Sequence, residues 1–324
     1  YMSILRNSGC NKPKKIIQSF IPFEEPDKID GMIIGNDLDS LLSSCLLKEI
    51  FYWNIVGIYN YRTIWFSGSV SDFKEKINLQ KILAVDLDVY NNNIPSIGHH
   101  ILAMNQNDLI PGHSCSLNPN LIRGIHHDQF TRKYPLGTIH FLLWLFEYTH
   151  NLDHQINDLI WLADSSYING QSHRFRSNVG EWLNFFRDKV FLNTFEEIDS
   201  KKFEKRINDT IIPLIHKTGL KTYSGQVKSL YLSLSGCQCQ WNDPIHERKN
   251  IFSMYNLIND VTGWKKPDLP KKFGKINGNR ANKSINNFLR GHVSLDDFLY
   301  QKNVFSYVFP SSRTINYSTN INLN

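Results

Sequence analysis

The chain of 324 residues is 41% apolar with a formal charge of +6, enough apolar material for a full core and a length that favours two domains over one. Disorder is not the starting assumption, and no apolar run reaches the roughly 18 residues that a membrane-spanning helix requires. The polar, basic start lacks the apolar stretch of a secretory signal. Five cysteines (Cys10, Cys45, Cys115, Cys237, Cys239) at irregular spacing suit free thiols in a reducing compartment. A cytoplasmic location is expected, and the abundance of Asn, Ile and Lys hints at AT-rich coding, as in some phages and low-GC bacteria, which would place the chain in a bacterial cytoplasm.

A leader (residues 1–30) precedes Gly31-Met-Ile-Ile-Gly35, a short apolar run that reads as a buried strand. Leu41, Leu42, Cys45, Leu46, Ile50 and Phe51 then give an apolar helical face, with Asp39 placed to cap it. Residues 54–59 and 81–85 repeat the short apolar run. Strands separated by helical stretches predict an α/β domain with a parallel, doubly wound sheet over residues 31–199. Residues 135–150 and 156–167 read as interior helices, and residues 195–216 as a helix joining two domains. A smaller α+β domain is expected from about Ser200 onward, with strands at residues 229–234 and 305–309.

Two acidic pairs follow the predicted core strands: Asp37 with Asp39, and Asp86 with Asp88. Residues two apart in extended backbone face the same side, so each pair points to the carboxyl edge of the sheet, where open parallel sheets bind ligands. A lone Asp-x-Asp is most simply a cap or turn. Two in one cleft repel unless a cation lies between them, and carboxylates with a few imidazoles favour Mg or Mn. His99-His100 comes next; both rings serve one site only if a strand ends there. Leu117-Asn118-Pro119-Asn120, Lys133-Tyr134-Pro135-Leu136-Gly137-Thr138 and Leu162-Ala163-Asp164 follow.

The order of these motifs resembles the DHH phosphoesterases, with RecJ-type exonucleases the closest flavour. The resemblance covers roughly residues 31–170. It implies Mn or Mg as cofactor, one or two ions held by Asp37, Asp39, Asp86, His99 and Asp164, with Asp86 bridging. His100 would face the scissile phosphate, and metal-activated water would attack phosphorus. The implied activity is hydrolysis of single-stranded nucleic acid or short oligonucleotides. Three positions depart from the family pattern: Gly35 replaces a histidine, Ser40 a glycine and Gly98 an aspartate. The first removes a metal ligand. The third removes an outer-shell carboxylate, a loss that commonly weakens metal binding about 10- to 100-fold, unless Asp88 compensates from the neighbouring strand.

Residues 261–290 hold eight Lys or Arg against one Asp, interleaved with Trp264 and Phe273. Such a segment either tracks a phosphate backbone or is a solvated linker. Lys265, Lys266, Lys271, Lys272, Arg290, His292 and Arg313 are the expected substrate-binding residues. Other readings are a catalytically impaired DHH-like module that binds nucleic acid or protein, a cyclic-dinucleotide phosphodiesterase, and a haloacid-dehalogenase-like phosphatase with Asp86 as nucleophile and Asp88 as acid.

Overall fold

The computed structural model describes residues 13–106, 108, 110–171, 174–223, 229, 231, 234, 237–286, 294–321 and 323. Its main sheet has seven strands: β1 (Gly31–Ile34), β2 (Ile55–Tyr59), β3 (Thr63–Phe66), β4 (Ile82–Val85), β5 (Ser96–Ile97), β6 (Ser116–Leu117) and β9 (Gly274–Asn277), the last after a short hairpin, β7 (Thr222–Tyr223) with β8 (Gln238–Cys239). The order is β6-β5-β4-β1-β2-β3-β9. All neighbouring pairs are parallel except those of β3, which runs against β2 and β9. The expected doubly wound α/β sheet is present, with one antiparallel hairpin added.

Alternation along the strands explains why both faces are covered. Met32, Ile34, Leu83 and Val85 enter one core with helix α1 (Leu38–Phe51) and helix α2 (Thr138–Leu145). Ile33, Ile82 and Ala84 enter a second core with Phe73 and Ile77 of the helix Val70–Asn78. Every residue of α2 is buried, as its all-round apolar sequence requires.

The chain leaves β1 toward β2 on one side and returns to β4 on the other, so the strand order reverses between β1 and β4. That reversal opens a crevice at the carboxyl ends of the two strands. The Cα register Ile34↔Val85 brings the two acidic turns side by side there.

A second, antiparallel sheet is formed by β10 (Asn279–Ser284), β12 (Thr314–Thr319) and β11 (Val304–Ser311), with the helix Leu295–Gln301 beside it. It docks against the crevice. Tyr59 Oη bonds Ser306 Oγ at 2.7 Å and also Ser318, and Tyr90 N donates to Phe305 O at 2.7 Å.

Several expectations are corrected. The leader is not loose over residues 13–30: Ile16, Phe20 and Phe23 are buried in the main core. Residues 195–216 are broken among the helices Lys189–Ile198, Lys201–Thr210 and Ile212–Lys217, because Ser200 caps the second (N–H of Phe203, 3.2 Å) and Pro213 opens the third. Packing does not divide near Ser200, since β9 completes the main sheet and Tyr255 of the helix Arg248–Thr262 bonds Ser44 of α1 at 2.9 Å. Of the expected strand at 229–234, residues 230, 232 and 233 lie outside the described residues, and 229, 231 and 234 are not in a strand.

Candidate metal centre

Asp37, not Asp39, caps α1: its Oδ1 accepts from the N–H and hydroxyl of Ser40, each at 3.0 Å. Asp39 lies in the first turn of the helix and caps a different one. Its two oxygens accept from the backbone N–H groups of Thr138 (2.6 Å) and Ile139 (2.9 Å), the free donors at the start of α2. Gly137 makes this approach feasible, because a Cβ there would stand 2.7 Å from Asp39 Oδ2.

Asp86 follows β4 directly with φ +56°, a conformation Asp adopts more readily than most residues. Its Oδ2 accepts from Ser40 Oγ (2.7 Å) and its Oδ1 from Thr138 Oγ1 (2.8 Å). Asp164 arrives from the far side. The helix expected over 156–167 stops at Ile160, and Asp164 and Ser165 take φ +49° and +54°, turning the Asp164 carboxylate to His99 Nε2 at 2.5 Å and to Gln238 Nε2 at 2.9 Å. Left-handed backbone at Tyr61, Asp86 and Asp164 concentrates strain around one site.

Strand β5 ends at Ile97, so His99 and His100 lie on turning backbone, as two rings serving one site require. The Asn118-Pro119-Asn120 turn fixes them. Asn120 Nδ2 donates to the carbonyls of His99 (2.8 Å) and Ile101 (3.2 Å), and its Oδ1 accepts from Tyr134 N (2.7 Å). Asp88 does not join the acidic cluster as expected. Its oxygens accept from His100 N (2.8 Å) and Asn118 Nδ2 (2.9 Å). It lies against Gly98, where a Cβ would be 2.6 Å from Asp88 Cγ and Oδ2. The Asp88 carboxylate thus occupies the space a side chain at position 98 would need, and the Ser40 hydroxyl occupies the space a side chain at Gly35 would need.

The Thr138 hydroxyl bridges Asp86 Oδ1 and His99 Nδ1, 2.8 Å from each. When Asp86 is ionised, the single hydroxyl proton goes to its carboxylate and His99 Nδ1 is the donor to Thr138, which leaves Nε2 as the ligand atom. His99 Nε2 and an Asp164 oxygen are 2.5 Å apart, so a proton or a cation stands between them. Burial opposes charge on His99, but Asp164 raises its pKa above the usual histidine value. Burial likewise opposes charge on Asp164, yet His99 holds it well below the carboxylate range. His100 is pushed well below the usual value by burial and by His99.

Burial and the charge of Asp164 lift Asp37 to about 6 and Asp39 to about 7. Burial with the charges of Asp39, Asp37 and Asp164 lifts Asp86 well above the normal range. Such a cluster favours added positive charge. The ligand atoms of Asp86, His99 and His100 lie within 4.8 Å of one another, as do those of Asp39, His99 and Asp164. Oxygen-rich donors with one or two imidazoles fit Mg²⁺ or Mn²⁺, and an ion would take the place of the protons these groups now hold.

The cluster opens into a cavity of about 530 Å³ roofed by β11 and β12. His99, His100 and Asp164 line its inner end; Lys133, Tyr61 and Arg280 line its sides. Thr138, Lys133 and Tyr61 are absent from the site residues expected on sequence. Thr138 and Lys133 flank the Tyr-Pro-Leu-Gly motif, which was a usable signal; Tyr61 in its hairpin turn gave none.

The expected basic grip is dispersed. Lys265 and Lys266 pack on Glu49 and Asn256 with their amines over Tyr52 and Phe252. They lie at the opposite edge of the sheet from the acidic turns, where Asp268 O accepts from Ile55 N at the start of β2. Lys271 and Lys272 are exposed before β9, and Arg313 is exposed on the β11–β12 turn. None of these five lines the cavity. Arg290 and His292 lie outside the described residues.

Comparison with protein-family models, curated proteins and solved structures finds no match. Among the described residues no helix is long and apolar enough to cross a membrane.

Proposed function

We propose that the protein is a divalent-metal-dependent phosphodiesterase acting on single-stranded nucleic acid or short oligonucleotides. One observation carries the reading: Asp39, Asp86, His99, His100 and Asp164, from four separate segments, meet at the point where the strand order reverses, with Asp37 joined to Asp86 through Ser40, and His99, His100 and Asp164 face a cavity with cationic sides. Asp37, Asp39, Asp86, His99 and Asp164 would hold Mn²⁺ or Mg²⁺. When bound, such ions supply Lewis acidity to a phosphoryl oxygen and lower the pKa of an attacking water.

The protein's own groups do the rest. Once Asp86 is ionised, Thr138 donates to it and accepts from His99 Nδ1, which leaves Nε2 as the ligand atom. His100 stays neutral and presents its ring to the cavity, so it can donate to a phosphoryl oxygen without competing for protons. Asp88 and Asn120 hold the backbone of both histidines. Lys133, lowered to about 8 by burial, is still cationic at neutral pH. The dehalogenase-like alternative loses support because Asp88, its supposed acid, is enclosed by Asn118 and His100 N.

The test is cleavage of end-labelled single-stranded DNA and RNA with Mn²⁺, Mg²⁺ or chelator, with Asp86→Asn beside the parent. Asn tolerates the left-handed backbone at this position, so loss of activity would reflect the carboxylate rather than the fold. Metal-dependent products that vanish in the variant are expected; cleavage unchanged by Asp86→Asn would reject this site.

A further inference from the structure

Among the described residues, the cavity beside the acidic cluster is lined by three charged side chains: Asp164, which is engaged by His99, and the cations Lys133 and Arg280. The two cations come from different walls. Lys133 precedes α2 and spends one donor on Phe309 O at 3.3 Å, with no carboxylate within ion-pair distance among the described residues, although the charges of Asp88 and Asp164 are felt there. Arg280 lies on β10, exposed, with its guanidinium 5.9 Å from the centroid of the Tyr61 ring and no ion pair among the described residues. Tyr61 in turn is close enough to Asp37, Asp86 and Asp164 that, after burial, their charges raise its phenol further. Arg280 therefore stands one aromatic ring away from the metal centre.

A half-buried ammonium with spare donors gains from an anion that completes its partners. Lysine and arginine facing one cavity from two walls offer several N–H groups to a phosphate. The volume of about 530 Å³ fits one enclosed small ligand, whereas a polymer groove carries cations along its whole path. Here Lys265, Lys266, Lys271 and Lys272 are all outside the cavity.

We propose that Lys133 and Arg280 form an anion subsite for a terminal phosphate group, so that the cavity takes the phosphorylated end of a short nucleotide rather than an internal stretch of polymer. The proposal rests on the phosphodiesterase reading for the neighbouring centre and adds the substrate class.

Calorimetric titration in chelator with three dinucleotides, bearing a 5′-phosphate, a 3′-phosphate or neither, reads the subsite without the chemistry. Repulsion between the acidic cluster and the internal phosphate is common to all three and cancels. One phosphorylated form is expected to bind at least about tenfold tighter than the unphosphorylated one, a normal yield for charge-assisted hydrogen bonds. Arg280→Met, at an exposed position, should reduce that preference to about twofold or less with an unchanged melting temperature, and Lys133→Met should do the same. Equal binding of all three ligands by the parent, or a preference that survives both variants, overturns the subsite. Mn²⁺-dependent hydrolysis of bis(p-nitrophenyl) phosphate by the parent, a diester without a second phosphate, tests the underlying reading separately: failure there with the preference intact rejects the phosphodiesterase and leaves the anion subsite.

Discussion

Replacing Gly98 by Asp restores the residue the resembled family carries, and the structure says it should harm this protein. A Cβ at position 98 would lie 2.6 Å from Asp88 Cγ and Oδ2 and 2.8 Å from Oδ1, so the Asp88 carboxylate must leave. It is 3% exposed and accepts from His100 N and Asn118 Nδ2. Hydrogen bonds to a charged acceptor contribute about 1.5–3 kcal/mol each, so losing both costs about 3–6 kcal/mol, a large share of the roughly 5–15 kcal/mol of a typical domain. Asp88→Gly alone strips the same donors of their acceptor and should cost a similar amount. The double variant Gly98→Asp/Asp88→Gly returns one carboxylate to the space, and should be more stable than the sum of the singles by at least about 2 kcal/mol. Urea denaturation of the four proteins gives this coupling from midpoints and slopes. Additive losses, or a Gly98→Asp protein as stable as the parent, would refute the shared-space argument.

Thr138→Val keeps the β-branched shape but removes the hydroxyl between Asp86 and His99; Mn²⁺ affinity measured by calorimetry should fall about 10- to 100-fold, as for other outer-shell losses. In chelator, folded Asp37 and Asp39, raised to about 6 and about 7, bind more protons than the unfolded chain above the ordinary Asp value of 3.8. Metal-free stability should therefore decline as pH rises from about 4 to about 7, and stabilisation by Mn²⁺ in melting experiments should grow over the same interval. His140 has both ring nitrogens buried without hydrogen-bond partners among the described residues, between Trp161 and Phe191, and burial lowers it from 6.5 to about 3. His140→Leu should stabilise by about 1–2 kcal/mol at neutral pH. It should also abolish the loss of stability that the parent suffers at this group as pH falls from 6.5 toward 3, both visible in urea titrations at two pH values.

What the sequence made legible follows from how parallel strands are built. Strands β1 and β4 are buried on both faces, so they read as apolar runs, and the acidic residues at their ends mark the carboxyl edge. Adjacent side chains share a site only beyond a strand end, and β5 does end at Ile97, before His99 and His100. Other features depend on contacts between distant segments. Whether Asp39 caps its own helix or α2 is decided by Gly137, about a hundred positions on. Strand β9 is half-polar and was invisible to a search for apolar runs. The break at Asp164 and Ser165 uses left-handed backbone at non-glycine residues, for which no local pattern exists. Charge density singled out residues 261–290 as a grip, yet of the cations there only Arg280 reaches the cavity among the described residues, because density along a chain does not say which way a strand faces.

The central claim is that the cluster of Asp37, Asp39, Asp86, His99 and Asp164 holds a divalent cation. Calorimetric titration of Mn²⁺ into the parent and into Asp86→Asn, in two buffers of different ionisation enthalpy, tests it most directly. Saturable binding with release of protons is expected for the parent, because the ion displaces protons from groups that burial and mutual charge have loaded with them; the variant should bind at least about tenfold more weakly. No saturable binding, or equal affinity and equal proton release in the two proteins, would contradict the account.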